Sequence, residues 1–403
     1  MTVSAKWIPM IVVALGAAGG AVACADDVEV MVAPQDGGTN LPPEQPPAPE
    51  DAGVRDAEPD SAKPTEVSPG TCSSSGLCVA AIPVDGTIGL TSVWGSSARD
   101  VWAAGSAGTV LHYDGTTWEK TTLVPDDGTV PYTIRSVWSG RSGDVWMADG
   151  KWLWHAPSWK GPKETIWSSL AFPSYELPPA AVTGFDNTVL LSRLSPKLRG
   201  GSGPWISSYA AWADGGPEVV DEIGMTAYQS LSFTALSASR ADEIWAVGSS
   251  IDWSNHLKGR VFRAYRGPDE EGVDSWQFEE QLVLTTDVAS GVWADSEAIW
   301  VVGGHGTTRR MLRSELSNKF FRNVPSPVNV DLHGVFGFAP NDVWMVGAEG
   351  TVLHWDGTSL NKVTTPFDDV PSKPRLFSIW GTSPSDLWIV GQGTVLHLQK
   401  GAP

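Results

Sequence analysis

The chain has 403 residues, and its 46 aspartate and glutamate residues outnumber its 27 lysine and arginine residues, so that the formal net charge is −19. Such an acidic chain lacks the basic footprint of nucleic-acid-binding proteins, which excludes nucleic acid as an expected partner. One closed repeat array can use most of a chain of this length, so several separate domains are not required.

Residues 1–23 predict an export signal. A lysine precedes a nine-residue apolar run (7–15) that is too short to span a bilayer. The following tetrapeptide AVAC resembles the bacterial lipobox, with alanine in place of the usual leucine at its first position, and implies lipidation of Cys24. We therefore expect an exported bacterial lipoprotein that is anchored at the outer membrane or cell surface. Anchoring on the periplasmic face of the membrane is an alternative location. Ordinary signal cleavage near Ala23 is the alternative.

Residues 24–71 predict an acidic, disordered tether. Between residues 25 and 71 the chain has no aromatic residue, many prolines, and eleven acidic against two basic side chains. Such a segment cannot bury enough apolar surface to offset its conformational entropy. Much of the negative charge of the chain therefore belongs to this tether and does not describe a binding surface.

Cys72 and Cys78 lie in the segment GTCSSSGLC, which is flexible enough to close a small loop in an oxidising compartment. With the third cysteine assigned to the lipid, the sequence predicts a Cys72–Cys78 disulfide, and two free thiols are the alternative. Two thiols without a neighbouring histidine lack the ligands of a structural zinc site. We expect neither a metal nor a cofactor.

The rest of the chain, 72–403, repeats one short pattern seven times. Three clear copies read SVWGSSARDVWAAGSAGTVLHYDGTTW, GVFGFAPNDVWMVGAEGTVLHWDGTSL and SIWGTSPSDLWIVGQGTVLHL. One apolar position of the pattern recurs at Trp102, Trp146, Leu190, Trp245, Trp300, Trp344 and Trp388, in steps of 44, 44, 55, 55, 44 and 44 residues. A period of this length is typical of β-propellers.

Each copy predicts one blade of four short antiparallel strands. In the first copy we place strands at 92–94, 101–104, 109–113 and 118–124, with an Asp-Gly hairpin turn at 114–115. The predicted fold is therefore all-β, a seven-bladed β-propeller. The seventh copy has too few residues left for a fourth strand, so residues 78–84 should supply it and close the ring.

Residues that recur in every blade are predicted to serve the blade itself. Packing between blades is expected, with ligand contact as the alternative, for Trp94, Trp102, Trp138, Trp146, Trp245, Trp293, Trp300, Trp344, Trp380 and Trp388. Turn capping is expected, against acid catalysis, for Asp100, Asp144, Asp242, Asp342 and Asp386. A structural role is also expected, against metal binding, for His112, His155, His354 and His397.

The pattern VWG…DVW..G..GT.LHYDG resembles that of secreted bacterial β-propellers of the Asp-box (BNR) and tectonin-like kind, as found in repeat-containing lipoproteins. The resemblance covers about 78–403. It implies the propeller fold and a structural role for the YDGTTW and HWDGTSL hairpins. It does not imply one function, because related propellers include lectins, glycosidases, assembly factors and scaffolds.

A ligand-binding patch is predicted where blades 3 and 4 depart from the repeat. Segments 192–204 and 249–259 lengthen equivalent loops of neighbouring blades and should lie on one face of the ring. The candidate binding residues are Arg193, Lys197, Arg199, Trp253, His256 and Lys258. Their charge favours an anionic partner, either an acidic envelope glycan or an acidic segment of an envelope protein. Two solvated surface loops are the alternative.

The sequence contains no HExxH, Walker, GxSxG or kinase motif, and no motif that would gather arginines in a sialidase-like site. We therefore expect no catalytic residues and a monomeric, envelope-tethered binding or scaffolding module. One alternative is a lectin in which Trp253 or Trp205 stacks on a sugar ring. A glycoside hydrolase is the enzymatic alternative.

Overall fold

The computed structural model describes residues 67–399 except 126, 141–142, 173–178, 187, 194–204, 214–215, 225–230, 252–255, 269–270 and 284–286. In this part of the chain, seven four-stranded antiparallel sheets confirm the predicted all-β, seven-bladed propeller. The predicted export signal, the lipidation site Cys24 and the predicted tether up to residue 66 lie outside the described residues. The described helices are three short 3-10 turns (Ser106–Gly108, Gly304–Gly306 and Arg313–Asn318), and none could cross a membrane.

Six blades are formed by consecutive strands. Blade 1 contains β2 (Leu90–Ser97), β3 (Asp100–Gly105), β4 (Thr109–Tyr113) and β5 (Trp118–Thr122). Blade 2 contains β6 (Ser136–Ser139), β7 (Val145–Ala148), β8 (Trp152–Ala156) and β9 (Ser168–Ala171). Blade 3 contains β10 (Pro179–Phe185), β11 (Thr188–Arg193), β12 (Trp205–Ala213) and β13 (Gly216–Gly224). Blade 4 contains β14 (Ser232–Arg240), β15 (Glu243–Ile251), β16 (Leu257–Pro268) and β17 (Asp274–Gln281). Blade 5 contains β18 (Ala289–Ala294), β19 (Ala298–Gly303), β20 (Thr308–Leu312) and β21 (Arg322–Asn323). Blade 6 contains β22 (Leu332–Ala339), β23 (Asp342–Gly347), β24 (Val352–Trp355) and β25 (Leu360–Lys362).

The seventh blade joins the two ends of the propeller. It contains β26 (Leu376–Ser383), β27 (Asp386–Gly391) and β28 (Thr394–Gln399), and its outer strand is β1 (Leu77–Val79). The predicted closure by an N-terminal strand is therefore confirmed, but the strand begins one residue before the predicted segment 78–84 and ends well before residue 84. Pairing stops after Ala80, whose N–H still donates to the carbonyl of Val395 at 2.8 Å.

The predicted disulfide between Cys72 and Cys78 is present and closes a small loop beside β1. The loop also contacts blade 6, where Ser75 donates to the carbonyl of Thr364 at 2.8 Å. Further upstream, Val67 packs against the apolar cluster shared by blades 6 and 7. The described part of the predicted tether thus contributes to the last interface of the ring.

The core lies between blades rather than inside one of them. The second strands are buried along their length, because neighbouring blades cover both faces of the sheet. Five of the recurring tryptophans are fully buried, namely Trp102, Trp146, Trp245, Trp300 and Trp388. Trp102, for example, packs against Val137 and Val145 of the next blade. Most of the predicted packing tryptophans therefore have that role.

Serine side chains join the innermost strands of adjacent blades. The Ser92 hydroxyl accepts the N–H of Val137 at 3.1 Å, and the Ser136 hydroxyl accepts the N–H of Val182 at 3.0 Å. The equivalent position in blade 6 is Gly334, where a Cβ would lie 3.1 Å from the carbonyl oxygen of Phe377. A small residue is needed here because the inner strands approach closely around the channel.

The recurring aspartates and histidines bind each other within a blade. The Asp100 carboxylate accepts the indole N–H of Trp102 at 3.0 Å and lies 2.8 Å from His112 Nε2. Its second oxygen accepts the hydroxyl of Ser96 at 2.5 Å and so also caps the turn, as predicted. For blade 4 the prediction of Asp242 at this position was wrong. Asp242 pairs with exposed Arg240, and the neighbouring Glu243 accepts the indole N–H of buried Trp245.

Candidate functional site

The structure describes only part of the predicted patch on blades 3 and 4. Lys197, Arg199 and Trp253 lie outside the described residues, and the patch therefore stays a prediction. Arg193 ends β11 and forms a 2.7 Å ion pair with Glu222 of β13, which leaves its side chain only 14% exposed. In blade 4, His256 is exposed and Lys258 lies in β16. For Trp205, the structure describes its place at the start of β12, opposite Arg193.

A central channel of about 550 Å³ runs between the innermost strands of the blades. These strands all run in the same direction along the ring axis, because every blade repeats the same antiparallel order. We call the face at which they begin the upper face. It carries the blade-to-blade connections and the turns between second and third strands, which touch each other, as when Gly306 N–H donates to the carbonyl of Val330 at 2.8 Å.

Two levels of side chains line the channel. The upper level, here called the mouth ring, is formed at one equivalent position near the start of six of the seven inner strands by Thr91, Arg135, Thr234, Ser290, His333 and Phe377. The lower level, here called the floor, is formed three residues later by Trp94, Thr183, Ser237, Trp293 and Phe336. Three residues of extended chain separate the two levels by roughly 10 Å. The channel is therefore polar at its mouth and largely aromatic at its floor.

Two half-buried tryptophans have the predicted packing role but also expose part of the ring to the channel. Trp94 and Trp293 line the channel, whereas the equivalent Trp138 and Trp380 are almost completely buried. The Trp94 ring meets Phe336 edge-on at a centroid distance of 6.3 Å. Trp293 lies against the backbone of Gly337, so closely that a Cβ there would be 2.6 Å from the indole. The floor is thus a wall of aromatic rings from several blades.

The mouth ring carries positive charge that no carboxylate neutralises. Within the described residues, neither the guanidinium group of Arg135, in the mouth ring, nor that of Arg375, which lies near His333 of the ring, forms an ion pair, and both residues are exposed. Seven other arginines in this part of the chain are each paired with a carboxylate: Arg193, Arg240, Arg260, Arg263, Arg266, Arg313 and Arg322. Arg99, Arg309 and Arg310 of the described chain also form no ion pair, so the channel mouth is one of a few places where a guanidinium charge has no carboxylate partner.

His333 is the titratable residue inside the mouth ring. Burial lowers its pKa, nearby Arg375 lowers it further, and Asp331 acts in the opposite direction. Its ring lies 5.6 Å from that of Phe377. A histidine with a lowered pKa is neutral at pH 7, so the two arginines supply the positive charge at neutral pH.

A polar groove lies on the same face of blade 5. His305 Nδ1 is 2.8 Å from the carboxylate of Asp287, and the His305 N–H donates to Asp331 at 3.0 Å. The guanidinium of Arg309, which lines the groove, donates to the backbone carbonyls of Val283 and Thr308, both at 3.2 Å. These contacts hold the connections in place. No group of three or more metal-binding side chains gathers anywhere in the described segments.

The mouth ring was not predicted from the sequence, although the aligned repeats contain a signal for it. The residue three places before the recurring inner-strand aromatic is Thr91 in GLTSVWG, Arg135 in TIRSVWSG and His333 in DLHGVFG. These positions vary while their neighbours repeat. A position that varies within a structural repeat, beside the ring axis, is where a ligand-specific side chain is expected.

Comparisons with known proteins support the fold. No protein-family model and no curated protein matches the sequence. The chain is similar to the solved structure of YCF48 bound to D1 peptide, with a TM-score of 0.58 and 18% identity over 83% of this chain and 100% of that chain. It is also similar to YCF48 from Cyanidioschyzon merolae (TM-score 0.58, 18% identity, 79% and 97% covered). The WD40 β-propeller domain of Doa1 gives a TM-score of 0.58 at 11% identity, with 80% and 95% covered. At these identities the likeness concerns the fold alone, and the expected Asp-box or tectonin-like kind is not confirmed.

Proposed function

We propose that this protein is an exported, membrane-tethered and non-catalytic propeller that binds an acidic segment of another envelope protein on its upper face. The observation that carries this proposal is the unpaired charge of Arg135 in the mouth ring and of Arg375 near His333 of that ring, whereas most other arginines of the described chain are paired. Guanidinium groups bind carboxylates through paired, charge-assisted hydrogen bonds. One of the similar propellers is bound to a peptide, which supports a protein segment as the partner.

Apolar side chains beside Arg135 add contact area to this surface. Tyr132 is 43% exposed, and Val130 is 82% exposed on the same blade-to-blade connection. The Arg135 guanidinium and the Tyr132 ring both approach Gly150, at 3.8 and 4.0 Å from the position of an added Cβ. Aromatic and arginine side chains are the residues that contribute most to protein interfaces.

The non-catalytic part of the proposal rests on what the recurring acids and histidines already do. Asp342 binds Trp344 and His354, and Asp386 binds His397, inside their own blades. These aspartate and histidine side chains bind each other between the second and third strands of a blade, and they do not line the channel. A glycoside hydrolase would need two carboxyl groups that face one substrate bond. Turnover of a chromogenic glycoside would contradict the proposal.

The predicted patch of blades 3 and 4 belongs to the same proposed surface. Its cations Lys197, Arg199 and Lys258 would extend the positive mouth toward neighbouring blades, and either an acidic glycan or an acidic protein segment would suit them. A lectin in which Trp253 stacks on a sugar is the alternative, and binding to a glycan array without capture of any protein would favour it.

The proposed tether needs the lipid at Cys24. Several acyl chains on one residue hold a protein firmly on a membrane, whereas one chain binds only marginally. We expect Cys24→Ser to move the protein into the soluble fraction. Equal fractionation of the variant and the wild type would remove the anchor from the proposal.

The binding test compares two charge-matched double variants of the full chain. Arg135→Ala with Arg375→Ala removes two cations without carboxylate partners in and beside the mouth ring. Arg240→Ala with Arg322→Ala removes two exposed cations that pair with Asp242 and Glu315 elsewhere on the surface. In pull-downs from native membranes, we expect the first variant to lose most of the recovered partner and the second to retain it. Raised salt should mimic the first variant. Undiminished recovery with the first variant would contradict the proposed surface.

A further inference from the structure

We infer that the central channel is itself a binding site for a small aromatic carboxylate, held with its ring against the floor and its carboxylate at the mouth ring. This inference goes beyond the proposed protein binding, because it concerns a ligand inside the channel, although both proposals use Arg135 at the channel mouth. The volume of about 550 Å³ lies within the usual range for small-ligand sites.

The floor selects for an aromatic ring. Trp94, Trp293 and Phe336 are only half-buried, although the tryptophans at equivalent positions in blades 2 and 7 are closed off by their neighbours. Their exposed faces look onto the channel. A ligand ring placed on their exposed faces would make edge-to-face or offset contacts in addition to burying apolar surface. An aliphatic or strongly polar group would gain less at this level.

The mouth ring selects for negative charge. Thr91 donates its hydroxyl hydrogen to the carbonyl of Ala104 at 3.1 Å, and Thr234 donates to that of Val247 at 3.4 Å. The hydrogens of these two hydroxyl groups are therefore not available to a ligand. Arg135 is the residue of the mouth ring that can offer a charged hydrogen-bond donor at neutral pH. Its guanidinium has no carboxylate partner in the described chain, and a ligand carboxylate would supply one.

The distance between the two levels decides the class of ligand. Roughly 10 Å of extended strand separates mouth ring and floor. A ring joined to a carboxylate through a short linker reaches both levels, whereas a simple carboxylate reaches only Arg135 and a simple arene reaches only the floor. Arylalkanoic acids have this shape, and an aromatic residue beside an acidic residue in a peptide has the same chemistry.

The first test titrates the full chain with three compounds by calorimetry and by tryptophan fluorescence. The compounds are 3-phenylpropionate, its alcohol 3-phenylpropan-1-ol, which has no charge, and propionate, which has no ring. We expect saturable binding of 3-phenylpropionate with a dissociation constant of about 1 mM or tighter, and binding at least about tenfold weaker for the other two. Absence of saturable binding, or equal binding of all three, would overturn the inference.

Two variants test where the ligand lies. Arg135→Gln should weaken 3-phenylpropionate at least about tenfold but leave the weak binding of the alcohol unchanged, which a merely structural effect would not do. Trp94→Leu should weaken both compounds that carry a ring, and Trp293→Leu repeats this test if the first variant folds poorly. The matched control is Arg240→Gln, because Arg240 is an exposed arginine at the end of β14 that does not line the channel. Equal effects of Arg135→Gln and the control would overturn the assignment of Arg135.

The last arm separates a free acid from a peptide. The probe is the capped tetrapeptide acetyl-Ala-Asp-Phe-Ala-amide, with acetyl-Ala-Asn-Phe-Ala-amide as its uncharged control. Binding of 3-phenylpropionate supports the small-molecule site. Binding of the aspartate peptide without binding of the free acid would overturn it and assign the same chemistry to the side chains of a protein partner.

Discussion

The imidazole Nε2 of His354 lies 2.7 Å from the carboxylate of Asp342, and the same oxygen accepts the indole N–H of Trp344 at 2.8 Å. The imidazole also stacks on that indole at a centroid distance of 4.3 Å. The contact joins the first residue of β23 to the third strand of the blade. Because blades 1 and 7 repeat the same contact between aspartate and histidine, it acts as a clamp within the blade.

We expect Asp342→Ala to destabilise the protein by about 1–3 kcal/mol, because it leaves an indole N–H and an imidazole without their acceptor. The measurement is urea-induced unfolding of the full chain. Asp369→Ala removes an exposed carboxylate from the connection that follows the same blade and should change stability by less than about 0.5 kcal/mol. A similar loss in both variants would contradict the clamp.

Leu77 is the buried anchor of the closing strand, opposite Leu398, and it is 0% exposed. We expect Leu77→Ala to lower the free energy of unfolding by about 2–5 kcal/mol and to increase aggregation, because the edge of β28 becomes available.

Replacing Cys72 and Cys78 by serine should lower the free energy of unfolding by about 2 kcal/mol, since the disulfide closes a short loop. Thermal unfolding with static light scattering measures both effects. Val124→Ala, at a 60% exposed position, is the control, and an equally small effect at Leu77 would show that ring closure does not depend on β1.

Gly306 combines a left-handed backbone with a close contact. Its φ is +68°, and a Cβ would lie 2.1 Å from the carbonyl oxygen of Val328. Gly128 has a similar φ of +71° but nothing within 4 Å of an added Cβ. Gly128→Ala should therefore cost only the backbone strain, about 1 kcal/mol, while Gly306→Ala should cost several times more. Urea unfolding of the two variants measures the difference, and equal values would mean that the turn shifts without penalty.

The lowered pKa of His333 predicts an acid-sensitive contribution to stability. The unfolded chain binds a proton near pH 6.5, whereas the folded chain resists protonation until a lower pH. The contribution is therefore fully present above pH 6.5 and is lost as the pH falls through the lowered pKa. Free energies of unfolding at pH 7.5 and 5.5 should differ less in His333→Gln than in the wild type. An unchanged difference would show that His333 does not titrate in this way.

The repeat spacing was sufficient to predict the propeller, because each blade needs the same apolar run and the same turns at the same intervals. Leu190 stands where other blades have tryptophan, and the β11 strand still forms there, since the pattern around it is intact. The closing strand could also be predicted from the repeat. The first and last residues of the closing strand could not be predicted, because the hydrogen bonding that ends at Ala80 depends on the length of β28, the strand with which it pairs.

Which charges are paired on the proposed binding face was decided only by the tertiary structure. In the sequence, Arg193 is one cation of a basic loop, but the pairing of β11, β12 and β13 brings Glu222 to within 2.7 Å of it. Arg135 and Arg375 belong to different repeats, yet ring closure places Arg135 in the mouth ring and Arg375 near His333 of the same ring, with no carboxylate partner for either among the described residues. The local pattern determines strands, turns and blade number, because these depend on neighbours in the chain. Which charges remain unpaired depends on residues many positions apart that meet only after the ring has closed.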